Sequence, residues 1–399
     1  MQVKGVPRLH LAIFFLLKVV AGISLTLIYT YYYTDTAKND IYKYYNDSVV
    51  VSKILFNSPY HWTKVMLGID MYSKETFAHI LPTLYFDHPS GDIATSNKLL
   101  IRITSLFNYL SYYSIYINTL FFNFACFVSL VALLKAMRRF FTGDVRWLYL
   151  ALFLLPSMVF WSSGLLKDQL LFTFIGLYLY VLLLEKKTWQ HWFLALLLFY
   201  AVFSVKSSVA APLLIASVFL PIYNISLLKR GIAAGIATAT GLGLAFATGF
   251  AGRLCAMLLE KRNEFVFLSL SENAGSNIDS TIYALNCGNL FSILPAALVN
   301  TILRPFVWQQ GSHFQLIFAA ENALFISLIF AVAYFIFKHK GPRSEANLSL
   351  ALFCIIFALF NYLIIGLTVP VMGAIVHYRV IAAPFLLLGL VALLRPKKS

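Results

Sequence analysis

Residues 9–29, LHLAIFFLLKVVAGISLTLIY, form an apolar run whose only full charge is Lys18. A helix needs about 20 apolar residues to cross the roughly 30 Å hydrocarbon core of a bilayer. The run is longer than the apolar region of a signal peptide, lacks a small-x-small cleavage site, and leads directly into the tyrosine-rich stretch YTYYYTDTAKNDIYKYYND. We therefore interpret it as a retained first span, with its tyrosines as an aromatic belt at the outer interface.

The composition extends this interpretation to the whole chain of 399 residues. Hydrophobic residues make up 60% and charged residues 12%, and the mean hydropathy is +0.79. Soluble domains carry about 25% charged residues, and the short alternating segments of a membrane barrel are absent from the sequence. The sequence predicts an all-α, polytopic helical membrane protein. It shows no repeat or linker, so we expect a single transmembrane domain over residues 1–399.

About ten segments are apolar enough to be spans: residues 9–31, 110–134, 147–163, 169–184, 192–205, 208–227, 231–252, 315–337, 347–368 and 378–394. Six short basic clusters lie between or beside them and hold 16 of the 31 basic residues: Lys4 and Arg8; Lys135, Arg138, Arg139 and Arg146; Lys186 and Lys187; Lys229 and Arg230; Lys338, Lys340 and Arg343; Arg395, Lys397 and Lys398.

A cytoplasmic N-terminus places all six basic clusters in the cytoplasm. We expect a multi-pass protein of the cytoplasmic (inner) membrane with both termini inside. The same rule accounts for the net charge of +15, so no nucleic-acid partner is expected.

Two large outer segments follow from this topology. Residues 32–109 hold seven of the sixteen acids and include a predicted amphipathic helix over 40–56, with Ile41, Tyr44, Tyr45, Ser48, Val51, Ser52 and Leu55 near one face. Residues 253–314 contain the apolar stretch 290–307, which two prolines interrupt and which as an eleventh span would move KHKGPR outside. We interpret that stretch as a re-entrant or interfacial helix. Cys255 and Cys287 share the second segment and could pair; the chain has no CxxC motif.

Ionisable residues at the outer ends of the spans are the candidates for chemistry. Four cations, Lys167, Lys206, Arg304 and Arg379, gather on the outer side. A phosphate held at the membrane surface needs fixed positive charge, and arginine can bind it through two parallel hydrogen bonds. We predict that these four residues bind a lipid phosphate.

The first outer segment supplies the candidate base, because a sugar hydroxyl that attacks a carbon bonded to phosphate needs a carboxylate within hydrogen-bond reach. Asp40 and Asp35 are the candidates, with Asp40 preferred; the further candidates are His313, His377, Asp168 and Glu321. Plainer alternatives remain open. Asp168 can pair with Lys167 at a helix start, lone histidines are often structural, and Lys18 can pair within the bundle. No motif indicates a metal or another cofactor, although a divalent ion would be compatible with the acids.

Three short stretches resemble the GT-C class of integral-membrane glycosyltransferases: NDIYKYYND after the first span, LPSMVFWSSGLLKDQL, and HYRVIAAPF near the end. The resemblance covers about the first 210 and the last 30 residues. It implies a polyprenyl-phosphate-linked sugar donor, a glycan or glycolipid acceptor, inversion at the anomeric carbon, a first-loop aspartate as base, and outer cations on the lipid phosphate. The chain departs from the class in that Asp35 and Asp40 replace the usual paired acids.

The segment RPFVWQQGSHFQLIF is similar to polysaccharide polymerases and ligases of the O-antigen type. That resemblance implies outer arginines, here Arg304, together with His313, and no carboxylate base in the first loop. A third alternative is a transporter for lipid-linked sugars, which would show inverted repeats; the sequence has no such symmetry.

Overall fold

A computed structural model describes residues 3, 5–32, 39–86, 91–141, 144–220, 229, 231–233, 235, 248–271, 278, 286–306, 308, 313–338 and 345–394. It is 82% helical, and no strand occurs in these ranges. The all-α class is therefore confirmed.

Helices α1 to α11 occupy the first half of the chain. They are Arg8–Leu27 (α1, continued by a π-helical turn at Ile28–Tyr32), Asp40–Asn57 (α2), Pro59–Leu67 (α3), Lys74–Ile80 (α4), Gly91–Ser111 (α5), Ile115–Met137 (α6), Val145–Tyr149 (α7, continued at Leu150–Leu154), Pro156–Trp161 (α8), Lys167–Leu182 (α9), Trp189–Val205 (α10) and Ser207–Ser217 (α11). The described helices of the second half are Phe250–Ser271 (α12), Cys287–Ser292 (α13), Leu294–Ile302 (α14), His313–Lys338 (α15), Glu345–Thr368 (α16), Met372–Tyr378 (α17) and Ala383–Leu393 (α18).

Within the described ranges, four helices are long and apolar enough to cross a membrane: Arg8–Tyr32, Ile115–Met137, Leu316–Lys338 and Glu345–Thr368. The pair Met372–Ile381 and Ala383–Leu393 is bent by 61° and makes a fifth if it forms one span. A helical membrane protein is thus supported, whereas the total of ten spans is not. The predicted span 147–163 is broken, because Pro156 begins a new helix. The predicted span 192–205 lies within α10, whose 17 residues are fewer than the roughly 20 that a span needs. Most of 231–252 lies outside the described residues.

The chain forms two compact units. Unit 1 comprises Met1–Ala136 and Val159–Ala210, and unit 2 comprises Met137–Met158 and Ala211–Ser399.

In unit 1, α2 packs along α5 and α3. Five residues of the predicted amphipathic face of α2 are buried, Ile41, Tyr44, Ser48, Val51 and Ser52, and the other two, Tyr45 and Leu55, are half-buried. Asn39 caps the helix: its side-chain oxygen accepts a hydrogen bond from the Tyr42 amide at 3.1 Å, and its amide group donates to the Tyr29 carbonyl at 2.8 Å. Asn39 therefore ties the start of α2 to the end of the first span.

In unit 2, α16 packs against α18 and α14. The Phe385 ring lies 5.0 Å from Phe357 and 6.0 Å from Phe353 between ring centroids, which forms an aromatic core. At the crossing of α16 and α14, a Cβ atom on Gly366 would lie 2.5 Å from the Ala297 carbonyl oxygen. The helices can approach this closely only because residue 366 is glycine.

The second outer segment begins with a covalent link. Cys255 in α12 and Cys287 in α13 form a disulfide, with their Cα atoms 6.0 Å apart, so the pairing that the sequence left open is present. The stretch 290–307 forms two short helices, α13 and α14, instead of one long helix. This agrees with the expectation that its prolines prevent a regular span; its re-entrant or interfacial position remains a prediction.

Candidate functional site

The buried Arg379 is the centre of a polar cluster in unit 2. Its side chain is only 4% exposed. Nη1 donates hydrogen bonds to the carbonyl oxygens of Thr301 at 3.3 Å and Arg304 at 2.6 Å, and to Oδ1 of Asn322 at 3.2 Å. A cation at the carboxyl end of a helix satisfies carbonyls that have no partner within the helix and interacts favourably with the helix dipole. Arg379 therefore closes the end of α14.

Asn322, on α15, completes this closure. Its amide group donates to the Leu303 carbonyl at 2.6 Å while its oxygen accepts from Arg379. The two residues that follow Ile302 are thus held by side chains from elsewhere in unit 2. The Leu303 carbonyl accepts from Asn322, and the Arg304 carbonyl accepts from Arg379. The backbone on which Arg304 sits is fixed from both sides.

Glu321 lies next to Asn322 and is also buried in unit 2. Its carboxylate accepts hydrogen bonds from the Ser157 amide at 2.8 Å and from the Ser157 hydroxyl at 2.5 Å. Its charge interacts with the charge of Arg379, and Tyr362 lies close enough to interact with both. No hydrogen bond or ion pair joins Glu321 to Arg379 among the described residues, so the partner of the Glu321 carboxylate there is Ser157.

Arg304 differs from Arg379 because its guanidinium is engaged much less. Its Cζ lies 6.0 Å from the centre of the Phe306 ring. Its buried Nε has no hydrogen-bond partner among the described residues. A buried donor without an acceptor is costly, so this position favours an oxygen-rich anion.

Of the two histidine candidates, the structure describes the side chain of His377 only. His377 is half-buried in α17, with its ring 5.3 Å from the Tyr378 ring. His313 is the first residue of α15, and its side chain lies outside the described part.

Asp40 and Lys167 both belong to unit 1. Asp40 lies on α2, and the side chain of Lys167, which lies on α9, reaches the first turns of α2. Asp40 is the first residue of α2, after the Asn39 cap, and its Oδ1 lies 3.9 Å from Nζ of Lys43. Lys167 is the first residue of α9, and its Nζ lies 5.7 Å from the centre of the Tyr44 ring. Tyr44 follows Asp40 by one helical turn. Asp35 lies outside the described residues.

The remaining candidates of unit 1 are also near helix ends. Asp168 is 4% exposed in the first turn of α9, where the helix dipole favours a carboxylate. Lys206 ends α10, and its backbone amide donates to the Val202 carbonyl at 2.9 Å. Lys206 is half-buried.

Lys18 pairs within unit 1, as one of the sequence alternatives proposed. Its ammonium group donates to the Ser162 carbonyl, to the Ser162 hydroxyl at 2.7 Å and to the Ser163 hydroxyl at 3.3 Å. Gly22 permits this close approach, because a Cβ atom there would lie 2.4 Å from the Ser163 carbonyl oxygen. Lys18 therefore has a structural role.

The sequence did not indicate the structural hydrogen bonds of Asp47 and Asn322. Asp47 is buried, and its carboxylate accepts backbone hydrogen bonds from Leu84 at 3.0 Å, Tyr85 at 2.7 Å and Phe86 at 2.7 Å. Burial raises the pKa of the Asp47 carboxyl, and the three amides oppose that rise. Asp47 could have been found because it lies on the apolar face of α2; Asn322 could have been found as the neighbour of Glu321 in an apolar helix.

The described residues contain no group of three or more His, Cys, Asp or Glu side chains that could hold a metal ion. Comparisons with protein families, with characterised proteins and with solved structures found no match for this chain.

Proposed function

We propose that this protein is a membrane glycosyltransferase that moves a sugar from a polyprenyl-phosphate-linked donor to a glycan or glycolipid acceptor at the outer face of the cytoplasmic membrane. The observation that carries the proposal is the arrangement of Arg304: a guanidinium with an unpartnered Nε among the described residues, on a backbone held by the buried Arg379.

Arg304 is the residue assigned to the donor phosphate. A guanidinium presents donors in a planar fork that matches two phosphate oxygens. Among the described residues, all hydrogen bonds of Arg379 come from Nη1 and go to protein oxygens. We therefore assign Arg379 chiefly to positioning Arg304. That Lys167 and Lys206, which belong to unit 1, bind a lipid phosphate stays a prediction from the sequence.

The base is assigned to Asp40, with Asp35 as the alternative. The carboxylate accepts the proton of the acceptor hydroxyl while that oxygen attacks the anomeric carbon. The bond from the anomeric carbon to the phosphate oxygen breaks in the same step, so the configuration inverts. The phosphate leaves with the bonding electron pair, and a fixed cation stabilises its charge.

The proposed location is the cytoplasmic membrane, with several spans and both termini inside. The disulfide between Cys255 and Cys287 supports an outer position for residues 253–314, because disulfides persist in oxidising compartments outside the cytosol.

Incubation of the purified protein with polyprenyl-phosphate sugars and extracted glycolipid acceptors tests the proposal. We expect a glycosidic product and release of polyprenyl phosphate. Movement of the lipid between leaflets without any glycosidic product would instead indicate a transporter.

A polysaccharide polymerase or ligase is the second candidate. It is favoured by one observation: Arg304, which lies on the segment whose sequence resembles those enzymes, joins Arg379 in one cluster of unit 2. This alternative requires Arg304 and His313 and tolerates loss of Asp40. A ladder of products instead of a single addition would favour the polymerase.

A further inference from the structure

Helix α5 buries many polar side chains and turns leucines outward. Five of its buried side chains are polar, Asn97, Thr104, Ser105, Asn108 and Ser111, and two are apolar, Leu100 and Ile101. Its outward side carries the half-buried Leu99 and Ile103 and the exposed Leu106 and Leu110, spaced by three and four residues along one face. Leu106 is 43% exposed and Leu110 is 66% exposed. We call these four residues the α5 stripe.

Four of these inward polar groups form hydrogen bonds inside the protein, namely Thr104, Ser105, Asn108 and Ser111. The buried oxygen of Asn97 has no hydrogen-bond partner among the described residues. The Asn108 amide donates to the Ser48 hydroxyl at 3.1 Å and accepts from the Asn118 amide at 2.6 Å. The Thr104 hydroxyl donates to the Leu100 carbonyl at 2.8 Å, and the Ser105 hydroxyl to the Arg102 carbonyl at 2.7 Å. A soluble helix normally turns its apolar face to the core and its polar face to water. In lipid, leucine can face outward without cost while polar groups are hydrogen-bonded internally.

The position of α5 places the stripe beside the membrane. Its last residue, Ser111, is followed within four residues by Ile115, the first residue of the candidate span α6. The Phe107 ring lies 5.2 Å from both Phe121 and Phe122. At 1.5 Å per residue, Phe121 lies about 9 Å along the span from Ile115. The carboxyl-terminal half of α5 therefore lies beside a part of α6 that itself exposes Ile117, Leu120 and Phe124.

We propose that the α5 stripe contacts the acyl chains of the bilayer, so that the first outer segment is partly embedded in the outer leaflet. The occupant is bulk lipid, because the exposed apolar surface of α5 continues that of a membrane-spanning helix. This inference is independent of sugar transfer, and α5 is not itself among the candidate spans.

Cysteine accessibility tests the proposal in the full-length protein in native membranes. Leu106→Cys and Leu110→Cys are compared with Lys53→Cys, a matched control on an exposed position of α2 that faces away from the buried side. Only the thiolate reacts with a charged, impermeant maleimide, and hydrocarbon disfavours the thiolate. We expect labelling at 106 and 110 to be at least about tenfold slower than at 53.

A second measurement separates lipid from protein contact. A nitroxide on each of the three cysteines is exposed in turn to oxygen, which partitions into lipid, and to a water-soluble nickel chelate. Oxygen should dominate at 106 and 110, and the chelate at 53. Rapid maleimide labelling with dominance of the chelate at 106 and 110 would show a water-facing surface. Disulfide cross-linking of two copies through either position would show an interface between copies. Either result overturns the proposal.

Discussion

At the scale of single residues, Arg304 and Arg379 are both arginines that the sequence predicts on the outer side, yet their surroundings differ. Arg304→Lys removes the planar fork but keeps the charge. We expect transfer to fall by about 10²-fold or more, with little change in stability, because loss of one fixed donor to a developing anion costs this much. Rates measured at several donor concentrations check the loss, and thermal unfolding in detergent checks the fold. Activity equal to that of the parent protein would remove Arg304 from the site.

Arg379→Ala should act through stability. The variant leaves the buried Thr301 and Arg304 carbonyls without their donor, at a cost of about 1–3 kcal/mol for each. The matched variant Asn322→Ala removes one hydrogen bond to the Leu303 carbonyl and one to Arg379, and should cost about 1–3 kcal/mol. If Arg379→Ala keeps the parent melting temperature while losing transfer, Arg379 binds substrate directly instead of positioning Arg304.

Asp40 can be separated from its structural surroundings because the helix cap is its neighbour. Asn39, not Asp40, caps α2, so Asp40→Asn should leave the helix start nearly intact. As the base, Asp40 should lose about 10² to 10⁴ in rate on this change. Asn39→Ala, in contrast, should cost about 1 kcal/mol of stability without a comparable loss in rate per folded molecule. Turnover assays normalised to folded protein distinguish the two. If Asp40→Asn and Asp35→Asn both turn over normally, neither aspartate is the base.

At the scale of elements, Asp47 joins α2 to the segment before α5. Its two oxygens accept three consecutive backbone amides, Leu84 to Phe86. Asp47→Asn replaces one oxygen with an amide nitrogen that cannot accept, so at least one buried N–H loses its partner, at about 1–3 kcal/mol. Asn46→Ala, on the exposed side of the same helix, is the control and should be nearly neutral. Equal melting temperatures for both variants would mean that the Asp47 contacts do not contribute.

The sequence predicted elements well where a periodic pattern was strong. The buried face of α2 and the first span followed from spacing and run length alone. The sequence could not show which polar side chains would meet, because Glu321 and Ser157 are 164 residues apart along the chain. It also counted spans from hydropathy, which does not register that Pro156 starts a new helix or that the apolar face of α5 points outward. For Lys18 the sequence left open whether the side chain snorkels or pairs within the bundle, and the structure shows pairing with Ser162 and Ser163.

At the scale of the whole molecule, the orientation in the membrane rests on the basic clusters and can be checked through the cysteines. Cys255 and Cys287 form a disulfide, while Cys126 and Cys354 are buried free thiols. If residues 253–314 face the oxidising side, the bond should be present in cells, and only reduction should make Cys255 and Cys287 reactive. Alkylation of whole cells with a reagent that slows the protein on a gel, with and without reductant, measures this directly.

Cys255→Ser should lose the reductant-dependent change in gel mobility. It should also lose about 3–4 kcal/mol of stability, given the separation of 32 residues between the two cysteines. A pair that is reduced in cells and labelled only from the cytoplasmic side would reverse the orientation, and with it the outer position of Arg304.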